Sequence, residues 1–212
     1  MHGKKILVFG ATGALGRQIL QQGLAAGAKM TAFVRDPRRL TLTHENLSVI
    51  AGDATYDRET VAAAICGQDA VISALGNGMS LRTDGLMQRC MLAIRLGMQK
   101  TNVKRLIVTS AFGVGESVND APALMRVVYR LLMKQVFEDK AASEYQLRRT
   151  ELDWTIVYPV KLTNGPKTES YRVGEKMALN GFATISRADV ADFILKQLAD
   201  RSFVRKAAVV TS

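Results

Sequence analysis

The sequence predicts an α/β protein, a doubly wound parallel sheet of the Rossmann fold that forms a single domain over residues 1–212. Short apolar runs alternate with helical patterns, and a glycine-rich turn follows the first run. The composition, 48% apolar and 23% charged, is that of an ordinary globular protein. A chain of this length can bury one sizeable core and is short for two.

Seven apolar runs predict the strands. Parallel strands that are covered on both faces are apolar throughout rather than alternating, and these runs have that character. Their alternation with helices implies right-handed crossovers. The runs are KILVFG, KMTAFV, LSVIAG, DAVISAL, VKRLIVTS, DWTIVYP and, close to the carboxyl terminus, KAAVVTS.

Helical patterns lie between the runs, as in GRQILQQGLAAG, DRETVAAAICG and DGLMQRCMLAIRLGMQK. After Ser110 the segment AFGVGESVNDAP predicts a loop. One long helix is then expected from about Pro122 to Arg149, with Asp120 as its N-cap and the proline in its first turn. VKLTNGPKTESYRVG is typical of turns, and SRADVADFILKQLAD predicts a capped amphipathic helix.

The net charge of +10 suits an anionic ligand, such as a phosphorylated cofactor or a polycarboxylate. Nucleic acid is not expected as a partner, because the basic residues are scattered and only 6% of residues are aromatic. No apolar stretch is long enough for a membrane span, so we expect no stable membrane insertion. The amino terminus lacks the pattern of a signal peptide, which predicts a cytoplasmic protein.

The two cysteines, Cys66 and Cys90, fall in helical patterns without a CxxC partner. Buried reduced thiols are therefore favoured over a disulfide, and no metal site is expected.

The glycine-rich turn FGATGALG joins the first predicted strand to the first predicted helix. In this context glycine lets the turn form, lets a pyrophosphate approach the backbone and lets the helix pack on the strand. The helix N-terminus offers N–H groups to the anion. A tight turn without a ligand is the alternative. The residues that we expect to contact the phosphates are Gly10, Thr12, Gly13, Ala14, Leu15 and Gly16.

These motifs, with VRDP after the second strand, GD after the third and TSAFG after the fifth, give the chain a family resemblance. It resembles the atypical short-chain dehydrogenase/reductases, and among them the group of biliverdin IXβ reductases or NADPH-dependent flavin reductases. The resemblance extends to the helix of SRADVADFIL. It implies an NADP-dependent oxidoreductase in which residues 1–112 mainly bind the cofactor and residues 113–212 mainly cover the substrate.

Three arginines at the end of the second strand favour NADPH over NADH. Arg35, Arg38 and Arg39 lie where NAD-binding folds usually carry an acid for the ribose hydroxyl, and a guanidinium suits a 2′-phosphate. A solvated basic turn is the alternative interpretation. Asp36 could also serve as the acid if the strand ran one residue further.

The resemblance implies further contacts with the cofactor and the substrate. Asp53 and Ala54 match the pair beside the adenine. Leu75, Gly76 and Asn77 match the loop along the ribose and phosphates. The segment around the nicotinamide is matched by Thr109, Ser110, Lys140, Tyr158, Pro159 and Val160, and the substrate side by Ala111, Phe112 and Lys161. A core role for Tyr158 remains open.

Carbonyl reductases of the wider superfamily use serine together with tyrosine and lysine spaced as YxxxK. Ser110 and Lys140 match the serine and the lysine, whereas the tyrosine position is Val136. Tyr145 lies further along the helix and is expected to face elsewhere. An isolated carbonyl needs a positioned acid. The missing tyrosine therefore favours a flavin, a bilin or a similar flat conjugated acceptor, whose delocalised anion solvent can protonate.

Two departures from the biliverdin-reducing relatives place bilin activity in doubt. Those relatives carry histidine where this chain has Lys140 and Lys161. A nucleotide-binding sensor without catalysis is a rival hypothesis from another class. An epimerase acting on a sugar nucleotide is disfavoured by the missing tyrosine and the small carboxyl-terminal portion. We expect a small-molecule substrate and a monomer or small homo-oligomer.

The segment LMRVVYRLLMKQVF is apolar and basic. It could lie on a membrane or a partner. Apolar residues at three- and four-residue spacing favour packing or a lid over the substrate instead.

Overall fold

The computed structural model of the chain describes residues 1–76, 84–121, 126, 131, 133–179 and 183–212. Within these residues the strands are β1 Lys5–Phe9, β2 Lys29–Val34, β3 Leu47–Ala51, β4 Ala70–Ser73, β5 Arg105–Thr109, β6 Asp153–Pro159, β7 Lys161–Thr163, β8 Arg172–Gly174, β9 Thr184–Ser186 and β10 Lys206–Thr211. The helices of eight residues or more are α1 Ala14–Ala25, α2 Arg58–Ile65, α3 Leu86–Thr101, α4 Lys134–Arg148 and α5 Arg187–Lys196. Short 3₁₀ turns span Pro37–Arg39 and Gly115–Asp120.

Eight strands form one sheet in the order β3-β2-β1-β4-β5-β6-β10-β8. Every pair is parallel except β10 with β8, which is antiparallel at one edge. The chain runs outward from β1 through β2 to β3 and then returns to the other side of β1 as β4. A crevice opens outside the carboxyl ends of β1 and β4, at the point where the strand order reverses.

Helices cover both faces of the sheet. α1 packs against α5, while α2, α3 and α4 pack side by side. α4 is fixed to α3 by the buried carboxylate of Asp139, which accepts hydrogen bonds from the backbone N–H groups of Met87 (2.9 Å) and Gln88 (3.2 Å). These groups lie in the first turn of α3, whose own N-cap, Gly85, has no side chain to offer.

The predicted fold class is confirmed, and the seven predicted strands are present. β1, β4, β5 and β6 are almost wholly buried, as their apolar sequences indicate. β3 differs because it lies at an edge, where Val49 is 44% exposed. Two short strands within the segment expected to be turns, β7 and β8, were not predicted, and neither was β9.

The single helix expected from Pro122 to Arg149 is wrong in its continuity. Met133 has non-helical backbone angles and caps α4, which begins at Lys134. Asp120 ends a 3₁₀ turn rather than capping a long helix. Half of LMRVVYRLLMKQVF lies outside the described residues, although Leu131 is described and exposed.

The structure also tests the predicted cap of α5, the burial of the two cysteines and the absence of a membrane span. Ser186 caps α5 by accepting a hydrogen bond from the Asp189 N–H group at 2.9 Å, as the sequence predicts. Cys90 is buried, whereas Cys66 is exposed at the end of α2, so the expectation of two buried thiols is wrong for Cys66. None of the helices in the described part of the chain is long and apolar enough to cross a bilayer.

Candidate functional site

The three glycines of the first turn have different physical roles. Gly10 has a φ of 77°, and a Cβ there would overlap the carbonyl group of Ala74. A Cβ at Gly16 would overlap the carbonyl oxygen of Gly10, so this glycine lets α1 pack closely on the end of β1. At Gly13 a Cβ would meet only the Gly10 oxygen, at 3.2 Å. Protein packing therefore demands the first and last glycines far more than the middle one.

The N-terminus of α1 is open to an anion. Gly13 is the N-cap, and it has no side chain to bond the first N–H groups. The helical hydrogen bonding starts with the Arg17 N–H donating to the Gly13 oxygen at 2.9 Å. The preceding N–H groups of the first turn point out of the helix end, where the helix dipole favours negative charge.

A groove of about 510 Å³ lies over this turn, at the reversal point of the strand order. Its walls come from the carboxyl ends of β1, β2, β3 and β4 and from the start of α3. The predicted residues that border it are Gly10, Thr12, Gly13, Ala14, Leu15, Arg35, Arg39, Asp53, Ala54, Leu75 and Gly76. Gly16 packs behind the turn, and Asn77 lies outside the described residues. Leu86 and Cys90 of α3 complete the wall and were not predicted from the sequence.

The arginines after β2 divide into two kinds. Arg35 and Arg39 border the groove. Arg38 instead binds Asp36 through Nε (2.9 Å) and Nη2 (3.1 Å), and the Arg38 guanidinium holds the pKa of that carboxyl below its usual value. β2 ends at Val34, so Asp36 does not extend the strand. Both carboxylate oxygens of Asp36 accept hydrogen bonds from Arg38, and Asp36 does not border the groove.

Arg17 ties the glycine turn to this arginine loop. Its Nη2 donates to the Arg39 carbonyl oxygen at 2.8 Å, and its Nε donates to the Thr12 carbonyl oxygen at 3.2 Å. Sequence reasoning missed this residue, because nothing in its spacing indicates a link between two turns.

Asp53 closes its own turn while bordering the groove. Its Oδ1 accepts hydrogen bonds from the backbone N–H (2.8 Å) and the hydroxyl (2.5 Å) of Thr55. Burial raises the pKa of Asp53, but the Thr55 hydrogen bonds and the charges of Arg35 and Arg89 outweigh it, so the pKa is lowered overall. The groove thus has a fixed carboxylate on one wall and two exposed arginines on another.

A second, much smaller cavity of about 10 Å³ adjoins the groove, and Leu75 and Cys90 border both. It brings together Thr109, Ser110 and Lys140, as the resemblance implies, and it adds Glu144, which the sequence analysis missed. Burial raises the pKa of the Cys90 thiol to about 12, so this thiol stays protonated.

Glu144 is the centre of a buried cluster with Ser110, Tyr158 and Arg148. The Ser110 hydroxyl lies 2.5 Å from Glu144 Oε1, and the Tyr158 hydroxyl contacts Oε2. Arg148 Nη2 donates to the Tyr158 oxygen at 3.3 Å, and its guanidinium lies over the Trp154 ring at 5.3 Å. Glu144 lies one helical turn after Lys140, and that i, i+4 spacing is the signal that could have found it.

Burial dominates the ionisation of this cluster. It raises the pKa of Glu144, against the hydrogen bonds from Ser110 and Tyr158 and the charges of Arg148 and Lys140. Burial lowers the pKa of Lys140, against the charges of Glu144 and Asp139. Burial and the adjacent Glu144 raise the pKa of Tyr158. An acid form of Glu144 therefore extends to higher pH than for a glutamic acid in water.

The other predicted residues lie around this cluster without bordering either cavity within the described part of the chain. Tyr158 is 2% exposed, and its hydroxyl contacts Glu144. The Tyr158 side chain thus has a core role and borders neither cavity, while a backbone contact of this segment with a cofactor stays a prediction. Pro159 and Val160 are buried, Phe112 is 5% exposed with its N–H bonded to the Pro159 oxygen, Ala111 is half-buried and Lys161 is exposed on β7.

Val136 and Tyr145 lie where the helical spacing predicts. Val136 is 8% exposed, on the first turn of α4. Tyr145 is 62% exposed and accepts a hydrogen bond from Arg149, so it faces away from the cluster. Glu144 supplies a carboxyl group beside Ser110, which the sequence analysis did not identify.

Two known proteins are similar to this chain in sequence over nearly its whole length. The chain is 26% identical to the photosystem II assembly factor Ycf39 of Synechocystis sp., over 95% of this chain and 60% of that protein. It therefore spans about 60% of the length of that relative. It is also 26% identical to the reductase pytE of Aspergillus terreus, over 97% of each chain.

Among solved structures, the anaerobilin reductase ChuY of Escherichia coli O157:H7 superposes with a TM-score of 0.81. It is 24% identical and is matched over 98% of this chain and 96% of that one. At this identity the likeness concerns the fold. The family model described as NAD(P)H-binding matches residues 10–201, and the chain belongs to that NAD(P)H-binding family.

Proposed function

We propose that the protein is an NADPH-dependent reductase that transfers a hydride to a flavin or a similar flat conjugated acceptor. The observation that carries this proposal is the shared wall of Leu75 and Cys90, which connects the groove to the cavity of Ser110 and Lys140. A dinucleotide with its pyrophosphate on α1 would extend along the groove toward Ser110. NADPH, when bound, supplies the hydride, and the reductase pytE supports this class of activity.

The preference for NADPH is supported by the arginine loop. Arg35 and Arg39 offer permanent charge and planar donors to a 2′-phosphate. Asp36, the acid that could instead bind a ribose hydroxyl, pairs with Arg38 and does not border the groove. The groove residues could thus hold the adenosine half, with Asp53 and Ala54 beside the base.

The acceptor class is supported by the chemistry at α4. Val136 carries no proton, so the tyrosine-based protonation of a simple ketone has no counterpart at that position. Glu144 is the acid of this cavity and contacts the Ser110 hydroxyl. A conjugated acceptor depends less on such an acid than a ketone does, because its reduced form spreads the negative charge. Lys161 is exposed on β7 and could bind an acidic substituent of the acceptor, such as a phosphate or a propionate.

A nucleotide sensor without turnover is the second candidate. The relative from Synechocystis is named as an assembly factor rather than as an enzyme, which favours a binding role. In a sensor the groove would bind NADP(H), and the Ser110 cluster would have only a structural role.

Steady-state NADPH oxidation with FMN, biliverdin and a simple ketone, measured side by side, distinguishes these functions. We expect turnover with FMN, less with biliverdin and almost none with the ketone. Calorimetry on the same preparation should show NADPH bound more tightly than NADH. Tight nucleotide binding without turnover of any acceptor would identify a sensor, and ketone reduction without flavin reduction would contradict the acceptor class.

A further inference from the structure

Glu144 is the carboxylic acid among the described residues that line the small cavity of Ser110 and Lys140. Its side chain is buried, with the residue 3% exposed, and each carboxyl oxygen contacts one hydroxyl group. Ser110 lies against Oε1 and Tyr158 against Oε2. A hydrogen that enters or leaves this carboxyl through direct contacts therefore passes through one of these two hydroxyls.

The hydrogen count of Ser110 makes its role depend on Glu144. A serine hydroxyl has one hydrogen to donate. When Glu144 is a carboxylate, that hydrogen is donated to Oε1, and Ser110 can only accept on its other side. When Glu144 is a carboxylic acid with its hydrogen on Oε1, this O–H donates to Ser110 Oγ, and the serine hydrogen is released to donate elsewhere. The acid form thus makes Ser110 a hydrogen-bond donor toward a ligand.

Ser110 lies on the side of the cluster that faces the groove. Ser110 follows β5, at the same edge of the sheet as the groove, and it borders the small cavity with Leu75 and Cys90. Those two residues also border the groove. A proton that leaves Glu144 by way of Ser110 moves toward the groove, whereas Tyr158 leads toward Arg148 on the other side.

We propose that Glu144 holds the proton that the reduced acceptor takes up and delivers it through the Ser110 hydroxyl. This role rests on the reductase function proposed above. The acceptor gains a hydride from NADPH, and a nitrogen or oxygen of the acceptor bonds to the Ser110 hydrogen. Ser110 Oγ takes the carboxyl hydrogen of Glu144, whose O–H bond breaks. Glu144 remains as a carboxylate, and it regains a proton from solvent before the next turnover.

Glu144 acts through Ser110 and is in that sense a positioning residue. The supply of protons depends on how much of Glu144 is in the acid form. Burial favours that form, and it raises the pKa of Glu144 despite four opposing groups. The groups of the described residues that face Glu144 or share its cavity are Lys140 and Arg148 on α4, Ser110 after β5, Tyr158 on β6 and Cys90 on α3. Turnover should fall as the pH rises through the raised pKa of Glu144.

The first test needs no cofactor. Carbon-13 NMR titration of the nucleotide-free protein follows the Glu144 carboxyl, identified by the loss of its signal in Glu144→Gln. We expect a midpoint above about 4.3, the ordinary value for glutamic acid. Tyr158→Phe removes a hydrogen bond that stabilises the carboxylate, so the midpoint should move to still higher pH.

The second test is the pH dependence of kcat with saturating NADPH and FMN. The wild-type kcat should fall as the pH rises, with the same midpoint as the NMR titration. The kcat profile of Tyr158→Phe should move to higher pH together with the NMR midpoint of that variant. Below the wild-type midpoint, Glu144→Gln should be roughly tenfold slower. Its profile should be flat, while its KM for NADPH is unchanged. A structural role alone would not move a pH profile in this paired manner.

The outcomes separate the two proposals. If the wild-type protein turns over FMN and the kcat–pH profile of Glu144→Gln superimposes on the wild-type profile, proton delivery by Glu144 is overturned. The reductase function is then left intact. Absence of turnover with both FMN and biliverdin, in a wild-type protein that binds NADPH, overturns both. If Glu144→Gln does not fold, the carboxyl signal whose midpoint moves in Tyr158→Phe identifies Glu144. An unmoved kinetic profile beside that shifted NMR midpoint overturns the proposal.

Discussion

The groove and the Ser110 cluster are built from different kinds of interaction. The groove is open, and it offers backbone N–H groups at α1 and exposed arginines, whose charges solvent and salt screen. The cluster is closed, and its ionisable groups lie out of water against one another. We infer that changes in the groove alter affinity for the nucleotide, whereas changes in the cluster alter turnover at nearly constant affinity.

The largest expected effect is in the glycine turn. Gly13→Val should reduce NADPH affinity at least a hundredfold, because a branched side chain would fill the space of the pyrophosphate. The fold should survive, since the Gly13 backbone is extended and its Cβ has room apart from one contact at 3.2 Å. Calorimetric titration measures the affinity, and thermal unfolding without nucleotide checks the fold.

Gly16→Ala provides the contrast within the same turn. Its Cβ would overlap the backbone of Gly10, so this variant should lose stability as well as binding. Unchanged NADPH affinity in Gly13→Val would contradict a phosphate site on this turn.

The next effect separates the two cofactors. Arg35→Ala should lower the affinity for NADPH roughly ten- to a hundredfold. This change corresponds to the loss of a charge-assisted contact of about 1.5 to 3 kcal/mol. NADH affinity should change little, because NADH lacks the 2′-phosphate. Dissociation constants for both nucleotides at one low salt concentration measure this difference.

Arg38→Ala is the matched control. It removes the same charge three residues after Arg35, but the side chain that is lost pairs with Asp36. It should leave NADPH affinity within about threefold, near the thermal energy of ~0.6 kcal/mol. Equal losses for NADPH and NADH in Arg35→Ala would show that Arg35 does not recognise the phosphate.

A smaller effect is expected in the cluster. Ser110→Ala should slow turnover with FMN roughly tenfold, a size appropriate to an orienting and proton-passing hydroxyl rather than an obligatory acid. The dissociation constant of NADPH should stay within about threefold. Steady-state kinetics and calorimetry on the same preparation check this, and a large loss of affinity would contradict the division between groove and cluster.

The smallest effect is expected at Val136. Val136→Ala should leave turnover with FMN within about threefold, because no side chain at this position exchanges a proton. The measurement is kcat with saturating NADPH, beside an unfolding curve that corrects for lost packing. A tenfold or greater loss at unchanged stability would show that Val136 contacts the acceptor.

Sequence predicts the groove well because its parts are local. The turn from Gly10 to Gly16 and the loop from Arg35 to Arg39 each lie within a few residues, directly after a strand whose apolar character reveals it. Strand ends of a parallel sheet then bring these segments together at one edge. The pairing of Asp36 with Arg38 was not predictable, because a shift of one residue in the end of β2 would change where the Asp36 side chain lies.

The cluster is harder to predict because its members meet only through the fold. Ser110 follows β5, Glu144 lies on α4 and Tyr158 lies on β6. The contact of Glu144 with both hydroxyls depends on how α4 docks on α3 through Asp139. The pairing of the short strands β7 and β9 is similarly long-range, because about twenty residues separate them in the sequence.

A single-turnover stopped-flow experiment tests the central claim most directly. Protein preloaded with one equivalent of NADPH is mixed with excess FMN without oxygen, and nicotinamide absorbance and flavin absorbance are followed together. The reductase proposal predicts that both signals decay with one shared rate constant, which is slower in Ser110→Ala and unchanged in Val136→Ala. NADPH that stays bound and reduced throughout, while FMN remains oxidised, would contradict it.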